Sequence, residues 1–295
     1  KTVSAGIALV DITDDKFDTT SATIAATALS AIGGKTTGQV SIAKAVKITG
    51  AASDVTAALV SGTKTVSAGI ALVDITDDKF ETTSATLAAT DLSNIGAKTT
   101  GQVSIAKAVK ITGAASDLTN TLVSGTKTVS AGTALVEITD DAFATTSATI
   151  AATVLSGIGG KTSGAVTLKN KIRMSGSQSA ITTALVGGSA VSASQDNTEA
   201  KVTTAVSVAQ GKAIAEVAKI KGIFSGGVTD SLSNLASGGN TDADFDVITG
   251  DDGTVAVNID DDKFETTSAT ITSADLRAVG AATTGQVSIA KAVKI

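Results

Sequence analysis

The chain of 295 residues lacks five residue types and has few aromatic side chains. It contains no cysteine, proline, histidine, tryptophan or tyrosine, one methionine and six phenylalanines. Without cysteine there is no disulfide framework. Without histidine or cysteine there is also no Ser-His or Cys-His pair for nucleophilic catalysis. We therefore predict that the protein is not an enzyme.

The net charge and the distribution of hydrophobic residues argue against a nucleic-acid-binding protein, a membrane-spanning protein and a disordered protein. The formal net charge is −5, whereas a nucleic-acid-binding surface needs clustered Lys and Arg. The sequence has no run of about 18 apolar residues, so we predict no membrane span. Hydrophobic residues still make up 42% of the chain, which is too many for a disordered protein. Because Lys1 opens the chain and Ile295 falls inside a repeat, we expect the sequence to be part of a longer polypeptide.

Internal repetition dominates the residues that are present. Residues 1–63 recur at 64–126 with eight changes, so 55 of 63 positions are identical. A third copy occupies 127–189, and the pattern degenerates over 190–253 before a partial copy at 254–295. Self-similarity at a fixed period is typical of a repeat array. We therefore predict that these five segments form one continuous structure.

Each repeat divides into three segments of roughly 21 residues, because three stretches per repeat are β-branched and alternate in hydrophobicity. In the first repeat these segments are 1–20, 21–38 and 39–63. The pattern predicts an all-β-dominated fold, a right-handed β-solenoid with three rungs per repeat and short helical turns on one edge. Rungs stacked about 4.8 Å apart would complete each other's hydrogen bonds. In this register Val40 and Val103 lie three rungs apart in one column.

Side-chain parity predicts which residues of the third segment face the core. The inward set consists of Val40, Ile42, Val46 and Ile48. Lys44 has the same parity, so we expect a corner at 43–45 that turns Lys44 outward.

Short helices should follow the strands. Thr27 precedes Leu29 at the start of an apolar helical pattern, where a hydroxyl can accept a bond from a free N–H group. Val55 and Leu59 lie four residues apart and should share a buried face. In the degenerate repeat we predict an outward polar loop near Ser194 to Thr204. We also predict an acidic strand and turn from Asp242 to Thr254.

The strongest candidate for a binding site is a set of carboxylates that follow the first strand of a repeat, which we call the acidic corners. Clustered carboxylate oxygens are the ligands that Ca²⁺ prefers, although no EF-hand loop is present. The alternative is a solvated corner whose Asp residues cap helices. The acidic segment 242–254, which we call the acidic insert, offers further carboxylates. The candidate calcium ligands are Asp11, Asp14, Asp15, Asp18, Asp74, Asp77, Asp78 and Glu81 of the corners, with Asp251 and Asp252 of the insert.

Lysines and threonines also recur in register. Lys44 and Lys47 return as Lys107 and Lys110, and such columns could bind an acidic polysaccharide or another copy of the chain. The alternative is a charged edge that discourages the stacking of sheets. Equivalent threonines return only at every third rung, which disfavours an ice-binding face.

A resemblance is carried by residues 28–59, which read ALSAIGGKTTGQVSIAKAVKITGAASDVTAAL. This segment resembles the tandem units of giant repetitive bacterial surface proteins, especially those of cyanobacteria and marine bacteria. Those units share the Gly-Lys-Thr-Thr-Gly turn, the Ile-Thr-Gly strand end and the Ala-Ser-Asp-Val helix start. The resemblance implies an exported adhesive, sheath-forming or motility-associated protein built as a β-solenoid, with no catalytic residues to carry over.

These observations favour a structural repeat protein, located outside the cell or on its surface, that forms a fibre, sheath or surface layer. Copies would associate laterally or end to end, because uncapped repeat arrays expose sheet edges. A calcium-dependent adhesin that binds polysaccharide or a surface is the alternative. An enzyme acting on surface glycans is the remote alternative, and its carboxylates would come from Asp242 to Asp252. We expect no cofactor other than calcium.

Overall fold

The computed structural model describes most of the repeat array. The described residues are 6–13, 23–42, 44, 46–61, 66–77, 86–107, 109–125, 129–140, 149–187, 191–196, 198–261, 271–291, 293 and 295. They divide into two units. Unit 1 comprises Lys1–Asp140 and Gly157–Thr167, and unit 2 comprises Asp141–Ser156 and Leu168–Ile295.

Among the described residues, successive helices are separated by one to three strands. The helices are α1 Ala26–Gly33, α2 Ala52–Thr56, α3 Ala89–Gly96, α4 Ala115–Leu118, α5 Ala152–Gly159, α6 Gln178–Leu185, α7 Val208–Ala215, α8 Leu232–Leu235, α9 Ala243–Asp251 and α10 Ser273–Ala282. Two π-helical turns, Ala57–Ser61 and Thr119–Ser124, continue α2 and α4. The strands are β1 Val10–Ile12, β2 Thr23–Ala25, β3 Val40–Ile42, β4 Lys47–Gly50, β5 Val66–Ser67, β6 Leu72–Ile75, β7 Thr86–Ala88, β8 Val103–Ile105, β9 Lys110–Gly113, β10 Val129–Ser130, β11 Leu135–Ile138, β12 Thr149–Ala151, β13 Val166–Leu168, β14 Arg173–Gly176, β15 Val191–Ala193, β16 Thr198–Val202, β17 Ile220–Phe224, β18 Val228–Asp230, β19 Ala236–Ser237, β20 Asn240–Thr241, β21 Val257–Ile259 and β22 Val287–Ile289.

The prediction of an all-β β-solenoid is wrong, because the fold is mixed α/β. About 35% of the described residues are helical and about 31% lie in strands. The strands form several sheets that are mainly parallel, and parallel neighbours need a crossover connection, which here carries a helix or a further strand. These crossovers also make the spacing between paired strands longer than the predicted 21 residues: Val10 pairs with Val40, and Ile48 with Val73.

In unit 1 the sheets extend across the repeat boundaries. One sheet has the order β10-β8-β6-β4-β2, another has the order β1-β3-β5, and β13, β11, β9 and β7 lie side by side in a third. Ile48 of the first repeat pairs with Val73 of the second, and Val103 of the second pairs with Val129 of the third. Each of the first two repeat boundaries is therefore bridged by main-chain hydrogen bonds.

The predicted single column of equivalent residues is also wrong. Val40 lies in the sheet β1-β3-β5, whereas Val103 lies in the sheet β10-β8-β6-β4-β2. Within their separate sheets the two residues have equivalent partners, because Val40 pairs with Val10 and Val66, and Val103 pairs with Val73 and Val129.

The predicted inward face is confirmed. Val40, Val46 and Ile48 are fully buried, and Ile42 is 4% exposed. Lys44 is exposed, and the chain changes sheet between β3 and β4, which agrees with the predicted corner. Val55 and Leu59, the pair expected on one helical face, are buried as well.

Two local predictions in the degenerate repeat are wrong. The expected polar loop contains β16, which lies between β14 and β17. Its side chains alternate between buried and more exposed positions, with Thr198, Ala200 and Val202 buried. The polar residues of this segment mask the two-residue alternation that is typical of a strand. The expected acidic strand is the helix α9, which buries Phe245 and Ile248 at helical spacing.

In the part of unit 2 that the structure describes, the strands other than β15 form three sheets. Their orders are β12-β14-β16-β17, β18-β21-β22 and the antiparallel pair β19-β20. Among the described residues of the whole chain, no helix has both the length and the apolar character needed to span a membrane.

Candidate functional site

The acidic corners of unit 1 bind the first turns of helices that precede them in sequence. Asp77 follows β6, and its Oδ2 accepts a hydrogen bond of 2.7 Å from the backbone N–H of Ala52. Asp140 occupies the same place after β11 and accepts a 2.6 Å bond from Ala115. Ala52 and Ala115 are the first residues of α2 and α4. Each carboxylate therefore caps a helix that begins 25 residues earlier.

The helices need this distant cap because their own sequence does not supply one. The N-cap residues of α2 and α4 are Ala51 and Ala114, and neither makes a side-chain capping bond. The first N–H groups of a helix have no partner within the helix, and the positive end of the helix dipole favours a negative charge. A carboxylate from the following strand meets both requirements.

Unit 2 repeats this arrangement with other residues. Asp230 accepts a 2.9 Å bond from the N–H of Val208 at the start of α7, and Asp261 accepts a 2.6 Å bond from Leu232 at the start of α8. At the start of α6 the acceptor is the hydroxyl of Thr204. Capping from a later strand is thus a common feature of both units.

The carboxylates within the strands form a second group. Asp74 lies 3.5 Å from the Nζ of Lys47, and Glu137 lies 2.9 Å from the Nζ of Lys110. Both pairs join neighbouring parallel strands from two repeats. Asp11 has the equivalent position in the first repeat, where its Oδ1 accepts a bond from Ser41. Partly exposed pairs of this kind contribute about 1 kcal/mol or less to stability.

The acidic insert, residues 242–254, protects the edge of a sheet. β17 is the last strand of its sheet, and its outward N–H groups at Gly222 and Phe224 donate to Asp251 and Asp252 over 2.7 and 2.8 Å. Burial raises the pKa of the Asp251 carboxyl above its usual value, although the bond from Gly222 acts in the opposite direction. These carboxylates accept hydrogen bonds from the β17 backbone, as a further strand would. The edge of β17 is therefore less open to pairing with another chain.

Asp275 is a carboxylate that the sequence analysis missed. Its oxygens accept 2.6 Å bonds from the hydroxyl of Thr272 and from the backbone N–H of Gly239. The bond from Thr272 is the main reason that the pKa of Asp275 lies below its usual value. The spacing Thr272-x-x-Asp275 is a capping signal, so this interaction could have been found from the sequence.

The Thr-Thr-Gly turn holds adjacent turns of the chain together. The Thr36 hydroxyl donates a 2.6 Å bond to the carbonyl of Ala8 and accepts a 2.9 Å bond from the N–H of Gly38. The same arrangement recurs at Thr99, Thr162 and Thr283. These hydroxyls are occupied within the protein, so the turn has a structural role.

One cleft of about 410 Å³ lies in unit 1 between the start of α2, β7 and the start of α3. Asp77 and Asp91 contribute carboxylates to its lining. The oxygen of Asp77 that caps α2 is already engaged. The sequence 78–85, adjacent to Asp77, lies outside the described residues, so the cleft does not define a ligand.

The structure describes five of the ten predicted calcium ligands: Asp11, Asp74, Asp77, Asp251 and Asp252. The other five, Asp14, Asp15, Asp18, Asp78 and Glu81, lie outside the described residues. Within the part of the chain that the structure describes, no three His, Cys, Asp or Glu residues are grouped so that they could hold a metal ion. Calcium binding therefore stays a prediction.

No family model, curated protein or solved structure matches this chain. The likeness to repetitive bacterial surface proteins therefore stays a prediction that rests on the quoted repeat sequence.

Proposed function

We propose that this chain is a structural segment of a repeat protein that forms a fibre, sheath or surface layer outside the cell. The observation that carries the proposal is the pairing of strands across repeat boundaries, as in Ile48 with Val73 and Val103 with Val129. Continuous main-chain bonding makes the first repeats one body rather than domains on linkers. Such a body suits a structural protein that must keep its shape over several repeats.

The use of polar side chains supports the same proposal. Among the described acidic corners, Asp77 and Asp140 cap helices, and Asp74 and Glu137 pair with lysines of the preceding repeat. A polar set copied almost unchanged in successive repeats is suited to building a regular material. A catalytic pocket would instead need residues that are unique to one place.

Immunoelectron microscopy of the producing cells tests the proposal. Antibodies raised against the chain should label ordered material outside the cell envelope, and this label should be absent from cells that lack the gene. Label spread through the cytosol, with none outside the envelope, would contradict the proposed role.

A thermal melt with Ca²⁺ and then with EDTA separates the structural role from a calcium-dependent adhesin. The five described candidate ligands already have hydrogen bonds or ion pairs within the fold. We therefore expect the same melting temperature with Ca²⁺ and with EDTA. A melting temperature that rises with Ca²⁺ and falls on chelation would favour the adhesin.

A further inference from the structure

The outward face of the sheet β12-β14-β16-β17 carries an excess of positive charge. Successive side chains of a strand point to opposite faces of a sheet, and the buried residues Met174, Ala200 and Phe224 mark the inward face of this one. The charged residues on the outward face are Arg173, Glu199, Lys201 and Lys221. Three positive charges therefore share this face with one negative charge.

The equivalent faces of unit 1 are neutral. In the strands β4, β6 and β8, all of which the structure describes, the outward charged residues are Lys47 and Asp74. In β9, β11 and β13 they are Lys110 and Glu137. Each lysine lies near the carboxylate of the next strand, at 3.5 and 2.9 Å. The charges on these two faces thus balance within the fold.

The excess of positive charge in unit 2 comes from a change of sign at one position. The strands β14, β16 and β17 pair in the same register as β4, β6 and β8. In this register Lys201 stands in the place of Asp74, which is Glu137 in the third repeat. Lys221 stands in the place of Gln102, the residue before β8. The degenerate repeat therefore replaces a carboxylate with one cation and adds a second.

The two additional lysines are exposed, and the nearby carboxylates are already engaged. Glu199 binds the Nε of Arg173 at 2.6 Å. Asp251 attracts Lys221, but its Oδ2 accepts the 2.7 Å bond from the Gly222 N–H at the edge of the strand. Among the described residues, no carboxylate forms an ion pair with Lys201. This face therefore has positive charge that the fold does not neutralise.

We propose that this face binds a polysaccharide that carries carboxylate groups. Lys47 and Lys110 have a carboxylate of the neighbouring strand as their partner, and at Lys201 a carboxylate from outside the chain takes that role. The cations lie on three adjacent strands, which are about 4.8 Å apart in a sheet, so an extended polymer can contact them in turn. The inference names a partner for the proposed extracellular layer and rests on that function.

The other residues of the face favour a sugar polymer over a nucleic acid. Thr149 and Ser175 lie on the outward side of β12 and β14, and hydroxyl groups both donate and accept hydrogen bonds. Sugars carry the same groups. Among the outward residues of β12, β14, β16 and β17, all of which the structure describes, there is no aromatic ring on which a base could stack.

Binding of the 295-residue chain to polygalacturonate tests the proposal, with microscale thermophoresis as the readout. The wild-type chain should bind at low salt and release the polymer as NaCl is raised, because salt screens exposed charges. It should not bind neutral dextran. Lys201→Asp should weaken binding about tenfold, because it exchanges one exposed attraction for a repulsion. Lys221→Gln should weaken binding about threefold, because it removes one attraction.

Both substitutions return a residue that unit 1 already has at the same place, so the fold should be retained. Circular dichroism and a thermal melt check this. Lys98→Asp is the matched control for Lys201→Asp, because it makes the same change of charge at an exposed residue of unit 1. It should leave binding unchanged.

Three outcomes would overturn the inference. The first is a wild-type chain that does not bind polygalacturonate. The second is an equal loss of binding with Lys98→Asp, because binding would then follow the total charge of the chain. The third is tighter binding to polyglutamate or to single-stranded DNA, because the partner would then be a protein or a nucleic acid.

The cell images separate this inference from the proposed function. If polygalacturonate binding fails while the antibody label lies outside the cell envelope, the binding face is overturned and the structural role stands. If the polymer binds as expected while the label is cytosolic, the structural role alone is removed.

Discussion

At the scale of single residues, the Thr-Thr-Gly turn shows why the repeat tolerates change at some glycines and not at others. A Cβ added at Gly38 would lie 2.1 Å from the carbonyl oxygen of Ala8, which belongs to the neighbouring turn of the chain. A Cβ added at Gly34 would meet its nearest atom at 3.6 Å, and the φ of Gly34 is −70°. The second repeat already carries Ala97 at this position and keeps Gly101 at the other.

The two glycines give a matched pair of substitutions. Gly38→Ala should lower the free energy of unfolding by about 1–3 kcal/mol, because the backbone must move to relieve the overlap. Gly34→Ala should leave the free energy unchanged or raise it by up to about 1 kcal/mol, because it restricts the unfolded chain. Urea unfolding measures both changes, and equal midpoints for the two variants would contradict this account.

At the scale of elements, the helix starts explain a systematic error in the sequence prediction. Thr27 was expected to precede the first helix, yet α1 begins at Ala26 and its N-cap residue is Ala25, which has no capping side chain. For α2 the cap comes from Asp77, 25 residues later. Capping rules consider only the residues next to the helix in sequence. They therefore do not detect a capping carboxylate that lies after a later strand.

Removal of this distant cap should destabilise α2 selectively. Asp77→Ala should lower the free energy of unfolding by about 0.5–2 kcal/mol, the range of N-cap substitutions. It should also speed hydrogen exchange at the Ala52 amide, which donates to Asp77. Asp140→Ala should act in the same way on Ala115.

Asp196→Ala is the control for this prediction, because Asp196 is exposed and lies outside the acidic corners. It should change neither the stability nor the exchange at Ala52. If Asp77→Ala left the Ala52 amide as protected as before, the cap would not stabilise the helix in solution.

At the scale of the whole molecule, the fold depends on the spacing of repeats rather than on any one repeat. β4 pairs with β6, and β9 pairs with β11 in the same register. The residues Lys-Ile-Thr-Gly recur at 47–50 and 110–113. Removal of one full repeat would therefore offer β4 nearly the same partner sequence, because residues 135–138, which read LVEI, would take the place of 72–75, which read LVDI.

Deletion of residues 64–126 tests this equivalence. The shortened chain should keep a native-like circular dichroism spectrum and a cooperative melt, because every remaining strand finds an equivalent neighbour. Deletion of residues 64–94, about half as many, should disrupt folding because it breaks the register of the sheets. If the variant that lacks residues 64–94 folded as well as the variant that lacks residues 64–126, the repeat period would not determine which strands pair.

The sequence by itself determined the 63-residue period, the inward face of Val40, Ile42, Val46 and Ile48, and the corner at Lys44. These features depend on repetition and on alternation, which are local properties of the chain. Only the tertiary structure decided which strands pair, how much of each connection is helical and which helix Asp77 caps. The reason is physical: backbone hydrogen bonds are alike for every residue, so the partner of a strand is chosen by how the connecting segments fold and pack.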